Sequence, residues 1–180
     1  MVVMEDWDAA KARGANILAE VVGYGSSMNA YRMTDAPPDG GGTILAIQRA
    51  LEESGLRTDQ VDYIAAHGTS TPGNDLCETM AIKAVFGDDA ARLAVSSVKS
   101  MTGHLTSGAG ALNLLAAVNA LRDQVVPPTI NHEFPDPKLD LNYVPNTAQR
   151  REVRAAITNA FAFGGTNASM VVRHPEAAES

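Results

Sequence analysis

Four histidines stand at positions 67, 104, 132 and 174, and two of them share a setting. His67 is followed by Gly68, His104 is preceded by Gly103, and each comes a few residues after a short apolar run. Reactive side chains in open α/β sheets gather beyond the carboxyl ends of the strands, so two imidazoles delivered there can converge on one site. With Cys77 or Asp75 as a third ligand they could hold zinc, but the spacing matches no standard zinc pattern. As neutral rings they offer something else. Each could donate an N–H to a developing oxyanion, a gain of roughly 10²–10³ in rate per donor, and crowding discourages both from being charged together. His132, in a Pro-rich loop, and His174, near the chain end, read as solvated bystanders.

Lys99 lies five residues before His104 on the same segment, among Ser96, Ser97, Ser100 and Thr102. It reads either as a surface lysine or as a buried one paired with a carboxylate, for which Glu78 is the natural partner. Glu78 also completes Asp75-x-x-Glu78, a capping-box pattern at a helix start. The sequence has no Gly-x-Ser-x-Gly nucleophile elbow, no phosphate-binding Walker loop and no Gly-x-Gly-x-x-Gly after a strand. The single cysteine, Cys77, sits in a predicted helix ahead of Met80 and Ile82, as a small filler would. Acid–base groups are present, and an activated nucleophile is not.

The elements that must position these groups alternate. Residues 17–22 predict a strand, followed by a small-residue loop through Gly23, Gly25, Ser26 and Ser27. The Pro- and Gly-rich stretch 35–42 predicts a second loop. Ile44, Ile47 and Leu51 predict a helix over 43–54, ended by Gly55. Strands are expected at 61–66 and 93–98 with a helix at 76–86 between them, and 155–163 with 168–173 read as a hairpin around Gly164-Gly165. The pattern is α/β with at least one parallel connection. The helix expected at 107–121 carries only Asn113 and Asn119 as polar side chains after Ser107. A helix apolar all round must be covered on every side, which implies a second sheet or a partner chain.

Composition narrows the setting. The chain has 180 residues, 45% hydrophobic and 19% charged, with a net charge of -7. Its pI is near 5.0 and its mean hydropathy -0.09. That balance fits a globular protein and argues against phosphate neutralisation on nucleic acid. No apolar run approaches the ~18 residues of a membrane span. The acidic start lacks a signal peptide's basic n-region, and one cysteine excludes an internal disulfide and fits the cytoplasm.

Three segments then form a recognisable order: His67-Gly-Thr-Ser-Thr-Pro, Lys99-Ser-Met-Thr-Gly-His104 and Phe163-Gly-Gly-Thr-Asn167. They resemble the C-terminal signatures of the elongating beta-ketoacyl-acyl-carrier-protein synthases. Val21-Val-Gly-Tyr-Gly-Ser-Ser, Tyr31-Arg-Met-Thr-x-x-Pro-Pro and Val125-Val-Pro-Pro-Thr-Ile-Asn extend the similarity along nearly the whole chain. The resemblance implies the C-terminal half of a thiolase-like layered fold, a βαβαβ-type sheet with a buried central helix, over residues 1–180, with 1–30 at the junction to an N-terminal half. It implies decarboxylative Claisen condensation for fatty acid or polyketide synthesis. His67 and His104 would be the catalytic histidines and Lys99 the electrostatic lysine with Glu78 in its network. Thr69 and Thr71 would contact the pantetheine arm, and Phe163 would be the gating phenylalanine whose N–H serves the acyl-side oxyanion hole. Ala162 departs from the glycine often found before that phenylalanine.

The implied partners are an acyl carrier protein, the N-terminal half and a dimer or heterodimer mate. No metal and no cofactor are implied beyond the phosphopantetheine that carries the substrates. Arg150, Arg151 and Arg154 form the one dense basic cluster that an acidic carrier could meet. The family's nucleophilic cysteine belongs to the N-terminal half, so this chain is expected to be inactive alone. The alternative is a non-catalytic scaffold domain that keeps the fold.

Overall fold

A computed structural model describes residues 2–175. Short helix α1 (Trp7–Ala12) leads in, capped by the Asp6 carboxylate, which accepts the Ala9 N–H. Strand β1 (Glu20–Met28) is longer than the expected 17–22 and runs through the Gly/Ser stretch read as a loop. The reason is the helix above it, α2 (Gly41–Ser54). A Cβ at Gly23 would stand 2.1 Å from the Ala50 carbonyl oxygen, and one at Gly25 2.0 Å from that of Ala46. The glycines serve close packing of helix on strand, not chain reversal. Helix α2 ends as expected at Gly55, in the left-handed region at φ 66°.

Strand β2 (Tyr63–Ala65), helix α3 (Pro72–Phe86) and strand β3 (Ala94–Ser96) form a parallel βαβ unit. Both strands are shorter than the apolar runs around them. Helix α3 starts four residues earlier than expected, with Thr71 as N-cap and Pro72 in the first turn. Proline is tolerated there because its missing N–H has no helical partner anyway. Asp75 and Glu78 therefore lie inside the helix, and the capping box they suggested does not form.

After β3 come α4 (Lys99–Thr102), a 3-10 turn (Thr106–Gly108) and α5 (Ala109–Asp123). A two-residue ladder joins β4 (Val125–Val126) to β5 (Gln149–Arg150). The expected hairpin is present as β6 (Ala155–Phe161) and β7 (Thr166–Arg173). The main sheet runs β1-β7-β6-β2-β3, with β6, β2 and β3 parallel and the β1–β7 and β7–β6 pairs antiparallel.

Alternation along the strands divides the core in two. Ile64, Val95, Ile157 and Val171 face Ile47 and Leu51 of α2 and Ile82 and Phe86 of α3. Tyr63, Ala94, Ala156 and Val172 face Ala117, Ala120 and Leu121 of α5. One layer of helix thus covers each side of the sheet. The outer side of α5 stays open, with Leu115 49% exposed, so among the described residues the helix is covered on one side only. Among the described residues no helix is long and apolar enough to cross a membrane.

Candidate active site

His67 lies two residues past the end of β2 and is buried. Its backbone N–H donates to Glu78 Oε1 at 2.9 Å, and the next N–H, of Gly68, donates to Oε2 at 2.9 Å. Its carbonyl accepts a hydrogen bond from the Lys99 ammonium. The peptide around His67 is thus clamped by an anion on one side and a cation on the other. Gly68 is held close, because a Cβ there would meet Ser97 Cβ at 2.5 Å.

The ring is fixed as well. Nδ1 of His67 accepts the Phe161 backbone N–H at 3.2 Å. Nδ1 of His104, beyond α4, accepts the Thr106 N–H at 3.0 Å. A neutral imidazole that accepts at one nitrogen carries its proton on the other, so both rings become Nε2–H donors. The ring centroids lie 5.7 Å apart at an interplanar angle of 81°. Burial, then the Lys99 charge and the neighbouring His104 ring, push the His67 ring down to about 3. It is neutral at physiological pH.

Of the two readings of Lys99, the buried one holds, but it does not pair directly with Glu78. Lys99, in α4 and only 9% exposed, meets the His67 carbonyl, and Glu78 meets the two N–H groups and the Asn159 amide at 3.0 Å. They act on each other across one peptide unit. Burial raises the Glu78 carboxyl above its ordinary value, against the pull of its three N–H donors. Burial likewise lowers the Lys99 ammonium, with the Glu78 charge opposing.

A cavity of about 730 Å³ opens beside these groups, lined by Thr69, Glu78, Ser97, Lys99, His104 and Tyr143 among others. His132, read as a bystander, lines it too. Thr69 and Thr71 share a hydroxyl–hydroxyl hydrogen bond at 3.0 Å at the exposed rim. Phe163 falls outside β6, in the turn Phe163–Gly165, and is 78% exposed. The phenylalanine that touches His67 is Phe161, with ring centroids 5.2 Å apart. Sequence reasoning missed Phe161, Asn159 and Asn113. For Asn113 the signal was present, as a lone amide in the inner part of an apolar helix.

Cys77 is buried with Sγ 3.9 Å from Thr43 Oγ1, and burial raises its thiol. Among the described residues no group of three or more His, Cys, Asp or Glu is arranged to hold a metal. The arginine cluster is partly committed. Arg154 grips buried Asp62 through Nη2 at 2.9 Å and Nε at 3.2 Å, and Arg151 donates to the Arg92 carbonyl at 2.7 Å. Arg150 is exposed.

With this geometry in hand, the comparisons with known proteins are specific. A ketosynthase solved as "type II PKS acyl-carrier protein in complex with its ketosynthase bound to the hexaketide" superposes at a TM-score of 0.92. It is 41% identical, and the match covers 94% of this chain and 42% of that one. Fold and site together define a thiolase-like ketosynthase domain. A family model of the C-terminal domain of beta-ketoacyl synthase matches residues 18–133, and the chain belongs to that family. The 3-oxoacyl-[acyl-carrier-protein] synthase 2 of Synechocystis sp. is 48% identical over 173 residues, 96% of this chain and 42% of that protein. Its counterpart in Coxiella burnetii is 48% identical over 171 residues, 95% of this chain and 41% of that protein. The chain spans about two fifths of the length of the curated relatives it matches.

Proposed function

We propose that this chain supplies the decarboxylating side of a condensing-enzyme active site. The observation that carries the reading is the imidazole pair: each Nδ1 is engaged by a backbone N–H, from Phe161 and from Thr106, which leaves two Nε2–H donors. A malonyl thioester on the phosphopantetheine arm of an acyl carrier protein loses carbon dioxide when its C–C bond electrons move onto the thioester carbonyl. The enolate oxygen accepts from Nε2–H of His67 and His104. The enolate carbon then attacks an acyl thioester held on a cysteine, and that thiolate leaves. Donors placed where the negative charge develops stabilise the transition state more than the ground state.

The remaining roles follow from placement. Lys99 and Glu78 hold the His67 peptide. Thr69 and Thr71, at the cavity rim, bond the pantetheine amides, and the Phe163 N–H serves the acyl carbonyl. Cys77 does not supply the thiolate, because it is buried and its ionisation is disfavoured. A second polypeptide segment brings that cysteine, covers the open side of α5, and completes a dimeric or heterodimeric synthase in the cytoplasm. The carrier bound by the 41%-identical ketosynthase supports an acyl carrier protein as partner.

The test mixes the chain with an N-terminal portion of a 3-oxoacyl-[acyl-carrier-protein] synthase 2 and measures carbon dioxide release from malonyl carrier protein. The expected outcome is release that falls roughly 10²–10³-fold in His104→Ala. Equal rates would reject the roles of the histidines and favour a scaffold. Condensation by the purified chain alone would overturn the need for a second segment.

A further inference from the structure

Asn113 is the one buried polar side chain among the described residues of α5, 1% exposed on a face otherwise made of alanines and Leu121. Its amide nitrogen has two hydrogens and uses both. It donates to the carbonyl of Ala66 at 2.9 Å and to that of Asn159 at 2.9 Å, with the Ala65 carbonyl 3.5 Å away. The position of those carbonyls matters more than their number. The parallel ladder of β2 with β6 reaches its last pair at Ala65 and Thr158. Ala66 and Asn159 are the next residues on each strand. One step beyond Ala66 is His67, and two steps beyond Asn159 is Phe161, whose N–H occupies His67 Nδ1 at 3.2 Å.

We infer that Asn113 is a positioning residue that fixes which nitrogen of the His67 ring carries the proton. It does so by tying the residue after β2 to β6 just past their last paired residues, which brings His67 and the Phe161 N–H into register. Side chains held by such supporting contacts keep the narrow geometry that catalysis needs. Glu78 adds a second tie between the same two strands, since it accepts from the His67 N–H and from the Asn159 side chain. That tie acts on the peptide of His67, whereas Asn113 acts on the gap that the ring nitrogen must span. The inference deepens the proposed function and rests on it for its consequence, namely a second Nε2–H donor.

The experiment reads the ring and not turnover, using ¹⁵N NMR of the full chain with labelled histidine at neutral pH. In the wild type, His67 is expected to give one tautomer, with an unprotonated Nδ1 and a protonated Nε2. Asn113→Leu fills a similar volume without donors, and the single-tautomer signature should be lost. Asn113→Ser keeps one donor at reduced reach; it should give a partial loss and carries the test if the leucine variant does not fold. Ala117→Gly loosens the same buried face of α5 without touching these carbonyls and should leave the tautomer unchanged. A wild-type signature in a folded Asn113 variant, or the same loss in Ala117→Gly, would overturn the positioning role. The opposite tautomer in the wild type would instead overturn the donor reading itself, and this inference with it.

Discussion

At the scale of the residue, His67 is defined by what surrounds it. The folded ring is held near 3, well below its ordinary value near 6.5. The unfolded chain therefore takes up a proton that the native state refuses. Stability from this source is complete above about pH 6.5 and declines as pH falls toward about 3. Between about pH 7 and about pH 5 the loss amounts to about 2 kcal/mol. Urea unfolding at the two pH values should show a drop smaller by that amount in His67→Gln than in the wild type. Glu78 allows a second test. Replacing it with Gln exchanges one acceptor oxygen for an NH₂ that must face an N–H of His67, Gly68 or Asn159. A buried donor left without an acceptor costs about 1–3 kcal/mol, to be read as a lowered urea midpoint. The sequence made His67 and His104 legible through their glycines and their strand-end placement. It left Phe161 illegible, because that residue acts through its backbone N–H, which every non-proline residue has.

Helices and strands raise a different question, that of close approach. The glycines of β1 have opposite consequences to a glycine in α3. Gly23→Ala and Gly25→Ala would each drive a methyl group into helix backbone, and the expected cost is about 3 kcal/mol, at the upper end for overpacking. A Cβ added at Gly73, in the first turns of α3, would meet nothing within 4 Å. Gly73→Ala is expected to stabilise by about 0.5–1 kcal/mol, because it restricts the unfolded chain without strain. Thermal unfolding of the three variants separates the two signs, and a stabilised Gly25→Ala would refute the close packing of α2 on β1. Glycine in a sequence usually signals a turn, so local reading ends β1 before Gly23. What settles the matter is a helix some twenty residues further along, which no local pattern announces.

For the whole molecule, the unequal covering of α5 is the main feature. Its inner side is sealed by the sheet, while Leu115, half exposed, and Leu112 line an apolar groove with Met101 and Val98. If a second segment of a synthase covers this groove, backbone amides of α5 should gain hydrogen-exchange protection when the N-terminal portion of a relative is added. Amides of β6 and β7, already interior to the sheet, should not change. Unaltered exchange along α5 alongside restored condensation would place that segment elsewhere. The apolar composition of α5 was legible in the sequence, and this chain's own sheet supplies the cover for one of its sides. The side met by this chain's own sheet could not be assigned, because a helix apolar all round has no stripe that points inward.

The sequence by itself determined the order of the longer strands and helices, the two histidines beside glycine, the single cysteine, and the similarity to the condensing enzymes. Those features depend on residue type and short spacing, and both survive in one dimension. The tertiary structure alone decided the rest. Lys99 and Glu78 meet across the His67 peptide instead of with each other, and Phe161 and not Phe163 holds the His67 ring. Asn113 joins the residue after β2 to β6, segments more than ninety residues apart in the chain, roughly a loop closure that only a completed core can sustain. Each of these contacts has as one partner a backbone group that nearly every residue carries, so only the fold can select which one is used.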